Sequence, residues 1–231
     1  MKTSHILLSI ITVITLTGMV ATDVLLKQQY TKIDWGNPYQ NFDRRALPIA
    51  KHLVIDATPT VEVIVEKSAN SQALLSPEMA RAYHMRQQGD TLFLSFKTDE
   101  KGKYQSPRDN SWGKLGVGVV LRMPAIENLR VKDGCLTLQK LTAGPLTVSL
   151  QNTRLRTEKV DSKGDLELIE SQNSFAMLGA DHYQSLRITV QDSSGIQVND
   201  SQIDTFAASV SPKAEVQLRG KSLKWLSKTG Q

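Results

Sequence analysis

The stretch Leu146–Phe175, LTVSLQNTRLRTEKVDSKGDLELIESQNSF, decides how this chain is read. Leu146, Val148 and Leu150 alternate with polar residues. The alternation breaks at Gln151-Asn152 and resumes at Leu166 and Leu168, ahead of a second pair, Gln172-Asn173. Such alternation marks a strand with one buried and one solvated face, because successive side chains point to opposite sides. Outward from this stretch the pattern recurs at Leu136/Leu138, Leu186/Ile188 and Val216/Leu218, with a third polar pair at Gln191-Asp192. The three pairs begin at positions 151, 172 and 191, an almost even spacing, and apolar residues follow each at Leu155, Phe175 and Ile196. A repeat of roughly 20 residues with short strands and polar corners predicts a β-solenoid, in which each coil buries its inward residues against its neighbours. A β-sandwich or jelly roll built from hairpins is the alternative with similar spacing.

Strand signals begin earlier, in HLVIDATPTVEVIVEK, which alternates at Leu53 and Ile55 and again at Val61, Val63 and Val65. SPEMARAYHMRQQGD predicts the one soluble helix, with Ser76 as its cap, Pro77 at the first position and Gly89 at its end. TLFLSF (Thr91–Phe96) resumes the strands. Thr98–Lys114 is polar and rich in turn formers, and reads as an exposed loop before LGVGVVLRMP.

The first residues set the location. Ile6–Thr22 carries no charge, and Ile6–Leu26 supplies the length that an anchor of about 17 to 25 residues requires. A cleaved signal peptide would place Met19 at a position that wants a small residue, so residues 1–26 are read as a transmembrane anchor, with cleavage and secretion as the alternative. Lys2 stays on the cytoplasmic side and the rest is exported, which places the chain in the bacterial inner membrane, single-pass, with its domain in the periplasm. Residues 27–51, with two prolines and little periodicity, read as a spacer, and residues 52–231 as the β domain. Cys135 is the only cysteine, so no internal disulfide forms and no lipid-modified cysteine follows the apolar run. The net charge of +5 is dispersed, which argues against a nucleic-acid partner.

The order FDRRALPIAKHLVID, GDTLFLSF and GVVLRMPAIENLRVKDGCLTL resembles the auto-transporter adhesin head domain family, over roughly residues 47–220. The resemblance implies an envelope protein of the kind common in Bacteroidetes, with a right-handed parallel β-helix and no assigned catalytic residues. The glycine corners typical of such domains are represented by Gly144, Gly164, Gly179 and Gly195.

Chemistry-bearing motifs are sparse. His5, His52, His84 and His182 have no second ligand at metal-binding spacing, and Gly220-Lys221-Ser222 lacks the glycine that a phosphate loop needs, Glu215 standing there. No catalytic, metal or cofactor residue is therefore assigned. Asp165, Glu167 and Glu170 cluster in GDLELIE. With Leu166 and Leu168 inward, Glu167 faces outward, and stacked coils would set it between Ser149 and Arg187, an outward-facing binding row. A surface charge ladder is the plainer reading of the same three residues. The C-terminal SPKAEVQLRGKSLKWLSKTGQ reads as an end cap built on Leu223, Trp225 and Leu226, with lysines discouraging edge pairing. The function expected is non-enzymatic: a membrane-tethered module for adhesion, scaffolding or ligand binding, its partners envelope proteins, glycans or lipids. The alternatives are a periplasmic lipid or lipopolysaccharide carrier and, further off, a carbohydrate-active enzyme.

Overall fold

A computed structural model of the chain describes residues 2–57, 60–96, 106–108 and 115–228, side chains excepted at both ends. The expected exposed loop at Thr98–Lys114 lies outside the described residues but for 106–108. The chain divides into two units, 1–41 and 42–231. The first holds α1 (Lys2–Tyr30), whose segment His5–Tyr30 is long and apolar enough to cross a membrane. Ser9, Thr12, Thr15, Thr17 and Thr22 each return their hydroxyl to the carbonyl four residues back, so these donors need no partner outside the helix. The segment read as a spacer is divided: α1 takes it to Tyr30, while Asp43–Ala46 form a strand of the second unit.

The second unit is all-β apart from one turn-and-a-half of helix and a C-terminal 3₁₀ segment. One sheet, here sheet A, orders β1 (Asp43–Ala46), β4 (Gln72–Leu75), β7 (Val117–Met123), β3 (Glu62–Lys67) and β9 (Cys135–Gln139). It continues through β12 (Arg154–Glu158), β14 (Phe175–Leu178), β16 (Gly195–Asn199) and β18 (Glu215–Arg219). Sheet B runs from β17 (Gln202–Val210) through β15 (His182–Val190), β13 (Asp161–Ser171), β11 (Leu146–Gln151) and β8 (Asn128–Lys132). It ends with β2 (His52–Asp56), β6 (Thr91–Phe96) and β5 (Tyr83–Gln88), and the short β10 (Thr142–Ala143) joins β13. Both sheets are mixed: β1, β4 and β7 pair antiparallel, as do β5 and β6, and every other pairing is parallel.

From β8 onward the chain alternates between the sheets, and each strand pairs in parallel with the strand one repeat away. Leu146 meets Leu166, Leu166 meets Leu186 and Leu186 meets Phe206, the same step each time. The alternating pairs read from sequence therefore belong to two different sheets. Leu136/Leu138 sit in β9 with Val216/Leu218 in line in sheet A, whereas Val148, Leu168 and Ile188 align in sheet B. Inward rows result. Leu92, Leu53, Leu129, Val148, Leu168 and Ile188 stack across sheet B, and Val63, Leu136, Leu155, Ala176 and Ile196 across sheet A, each at most 2% exposed.

Corners at one edge fall where the polar pairs were noted, and of the described corners Gly220 alone is a glycine. Asp133, Asn152, Gln172, Asn173 and Asp192 hold positive φ at one edge, and Lys140, Lys159, Asp200 and Gly220 at the other. Asn and Asp tolerate this left-handed geometry because their short polar side chains bond locally. Asn152 Nδ2 donates to Asp133 Oδ1 at 2.7 Å, and the Gln172 amide donates to Asp192 Oδ2 at 3.2 Å, so each corner carries the next. Gly144, Gly164, Gly179 and Gly195, expected as corners, all have negative or extended φ. Gly164 instead fills a bulge in β13, where a Cβ would come within 2.8 Å of the Pro145 nitrogen.

The soluble helix is shorter than its pattern. Ser76 caps it, its hydroxyl accepting from the Met79 amide, but α2 (Pro77–Ala82) stops at Ala82 and Tyr83–Gln88 becomes β5. Pairing with β6 outweighs propensity here, and Gly89 (φ +57) opens the tight hairpin loop between β5 and β6 instead of terminating a helix. At the C-terminus the 3₁₀ segment Gly220–Lys228 packs on the last strands, with Trp225 5.8 Å from Phe206. Leu223 is exposed and takes no part in that cover, and the Leu226 side chain lies outside the described residues.

Two buried acids break the apolar interior. Asp181, 4% exposed, accepts from the amides of Val160 (2.9 Å) and Gly179 (3.1 Å), from Tyr183 Oη (3.0 Å) and from the Thr157 hydroxyl. Glu170, fully buried, stands in an inward row between Leu150 and Val190, and neither carboxyl oxygen has a hydrogen-bond partner among the described residues. Burial pushes its carboxyl up to about 8, opposed by the Ala176 amide, which approaches without ordinary hydrogen-bond geometry, and by the Arg108 charge.

Asp181→Ala strands two amides and two hydroxyls at once and should cost on the order of 3–5 kcal/mol in denaturant unfolding. Asp181→Asn should recover part of that loss. For Glu170, the unfolded carboxyl loses its proton near 4.5 while the folded one keeps it to about 8. Stability should therefore fall as pH rises across that window, by on the order of 5 kcal/mol, and level off above it. Glu170→Leu should flatten that slope and raise Tm at pH 8; an unchanged pH profile would refute the assignment.

Candidate functional site

The outward sides of the two sheets differ. On sheet A the described segment Ser106–Arg108 lies across β12, β14 and β16. Arg154 Nη1 donates to the Pro107 carbonyl at 3.1 Å, and Arg108 donates to the Ser193 carbonyl at 2.6 Å and to Glu215 at 2.9 Å, with its guanidinium 5.7 Å from the Phe175 ring. Gly195 makes room, since a Cβ there would stand 3.0 Å from Arg108 Nη2. Cys135, outward in β9, is buried, and burial with the nearby Glu62 pushes its thiol up to about 12, leaving little thiolate at neutral pH.

On sheet B the outward residues form two long rows in register. The first runs Thr91, His52, Asn128, Thr147, Glu167, Arg187. The second runs Arg86, Phe93, Val54, Arg130, Ser149, Ile169, Thr189. Glu167 thus faces Arg187 as the sequence predicts, but its other neighbour is Thr147. Ser149 lies one row away, beside Arg130 and Ile169. The reason is the length of the repeat: the apolar pattern alone sets Val148 against Leu166, whereas the ladder advances one pleat further and pairs Val148 with Leu168. Ser149, Glu167 and Arg187 still share the outer face.

Three clefts are described on this face, the smallest, about 330 Å³, over His52, Phe93, Asn128 and Ser149. One, of about 470 Å³, lies over Glu127, Thr147, Asp165, Glu167, Ser185 and Arg187. At its rim Lys51 Nζ sits 2.8 Å from Glu127, which holds that carboxyl below and that ammonium above its ordinary range. Beyond it His182 bridges Asp161 (2.9 Å) and Asp204 (3.4 Å), and the Asp161 contact raises the imidazole pKa. The second cleft, about 440 Å³, lies over Val54, Phe93, His84, Arg86, Arg130 and Lys132. Sequence reasoning passed over it. Its one visible signal is Phe93, an aromatic in the polar half of the TLFLSF alternation, and the strand that brings Arg86 alongside reads as helix.

Among the described residues no group of three or more His, Cys, Asp or Glu could hold a metal ion. The arrangement offers ion pairing, hydrogen bonding and a shallow apolar floor, the means of binding.

No protein-family model matches the chain, and no curated protein matches it. Solved structures of similar course include an adhesin-named protein from Bacteroides fragilis, 15% identical, covering 78% of this chain and 97% of its own, with a TM-score of 0.32. A cell adhesion-named protein from Clostridium sporogenes is 9% identical and covers 78% of this chain and 99% of its own, with a TM-score of 0.28. A lipid binding-named protein from Parabacteroides distasonis is 10% identical and covers 77% and 97%, with a TM-score of 0.26. At these scores none supplies an argument about function, which rests on the chain's own residues.

Proposed function

We propose that this chain is a non-enzymatic, membrane-tethered protein of the bacterial cell envelope that binds its partner on the outer face of sheet B. In this reading α1 anchors the chain in the inner membrane and the β unit stands in the periplasm for adhesion, scaffolding or ligand binding. The strands from β8 to β18 are coils of a right-handed parallel solenoid, closed over at the start by the antiparallel strands. Parallel pairing of strands one repeat apart favours this over a sandwich, whose hairpins pair antiparallel.

The observation that carries the reading is the register itself. Parallel ladders fix Glu167, Arg187, Arg130 and Ser149 on one open plane, so a partner meets preordered groups and little side-chain entropy is lost on binding. A carrier holding lipid between its sheets would need the inward rows to part. Leu53, Val131, Leu136 and Ile196 are instead packed at 2% exposure or less, which favours a display module over a carrier.

The test uses Gln184→Cys, an exposed position, against the buried Cys135. The full chain should stay in the membrane pellet after alkaline carbonate, and its new thiol should react with a membrane-impermeant maleimide in intact spheroplasts. Reaction only after lysis would place the β unit in the cytoplasm and sink the reading. In the same cells Glu167→Lys with Arg187→Glu should leave Tm within about 2 °C, these being surface charges, and should abolish retention of the solubilised chain on isolated envelopes.

A further inference from the structure

The second cleft on sheet B has a composition its neighbour lacks. Arg86, Phe93, Val54 and Arg130 stand on four successive strands, β5, β6, β2 and β8, all pointing outward in one row. At about 4.8 Å per strand the two arginines lie on the order of 14 Å apart, with a half-buried apolar floor between them. Both are exposed or half-exposed, and among the described residues neither is in an ion pair. The Arg86 guanidinium lies 4.7 Å over the Phe93 ring. Lys132 sits at the far side, its charge shared with Asp133 at 3.4 Å. Neither guanidinium fork has an ion-pair partner among the described residues, and the fork fits carboxylate and sulfate groups with two parallel hydrogen bonds.

We propose that this cleft is a recognition site for an acidic glycan, its carboxylate or sulfate groups held by Arg86 and Arg130 and one sugar ring resting on Val54 and the Phe93 edge. The proposal rests on the outer face of sheet B being the binding face. Three features select the ligand class. The cleft is half open and its outward row crosses four neighbouring strands, so an extended polymer can lie along it. The floor of Val54 and Phe93 carries a hydrogen-bonding rim at His84, Ser95 and Gln151 and one carboxylate, Asp56, paired across the ladder with Lys132, the chemistry of a sugar's apolar face and its hydroxyl edge. The single aromatic ring already carries Arg86 on one face, which leaves no platform for a run of stacked nucleobases.

The experiment places the full chain in phosphatidylcholine nanodiscs and measures binding of polygalacturonate, dextran sulfate and uncharged dextran by biolayer interferometry. Phosphatidylglycerol vesicles and single-stranded DNA are run in parallel. At least one acidic polymer should bind, with affinity falling as salt rises, and dextran should not. Arg86→Gln with Arg130→Gln should lower that affinity at least 30-fold with an unchanged circular dichroism spectrum, while Lys67→Gln, exposed on β3 of sheet A, should leave it within threefold. Absence of binding by both acidic polymers, or equal binding by the double variant, overturns the proposal. So does an arginine-dependent signal confined to phosphatidylglycerol or DNA, which would assign the cleft to a lipid surface or a nucleic acid. If neither acidic polymer binds while envelope retention still depends on Glu167 and Arg187, the binding face stands and only the glycan assignment falls.

Discussion

From β8 onward the β unit depends on the parallel ladder and its repeat of 19 to 21 residues. The repeat is held less by the strands than by their corners. A strand of five or six residues could slip by two and keep its apolar face inward. It does not, because left-handed residues turn the chain at both edges, and corner residues one repeat apart are hydrogen-bonded, as Asn152 is to Asp133. Buried hydroxyls extend the same lock. The Thr153 amide donates to Ser174 Oγ, and the Ser174 amide to Ser194 Oγ, so a column of small polar residues replaces the glycines such corners commonly use.

A register fixed in this way has two consequences of opposite sign. Inward, it forces side chains into rows whether or not they suit them. Tyr183 is accommodated by Asp181 and Thr157, which satisfy its hydroxyl inside the corner. Glu170 is not accommodated and persists only by keeping its proton, so one repeat carries an acid where its neighbours carry Leu150 and Val190. Outward, the same rigidity turns separate residues into a surface. His52, Asn128 and Thr147 are far apart along the chain, yet they sit side by side because three strands share one ladder.

The two outer faces are not equivalent. Sheet A engages four arginines with the chain itself, Arg154 and Arg108 holding the Ser106–Arg108 segment and Arg156 and Arg122 pairing with Glu62 and Glu66, while Arg44 and Arg219 at its edges enter no ion pair among the described residues. On sheet B, Arg86, Arg130 and Arg187 enter no ion pair among the described residues, and Arg187 has only its ladder neighbour Glu167 beside it. That asymmetry is why the candidate binding face is sought on sheet B.

The sequence by itself determined most strands of the β unit, though not β1 or β5, the near-even recurrence of its polar corners, the apolar N-terminal helix and the outward position of Glu167 and Arg187. Alternation and periodicity are local properties, written in consecutive residues. Only the tertiary structure decided three other things. The helix ends at Ala82, because Tyr83–Gln88 gains more from an edge of sheet B than from further helical turns. Thr147 and not Ser149 flanks Glu167, because a ladder counts residues through corners whose length no alternation reveals. The cleft joins the local β5–β6 hairpin of Arg86 and Phe93 to Val54 and Arg130 from distant parts of the chain, since pairing of β6 with β2 and of β2 with β8 is a long-range contact that no local pattern encodes.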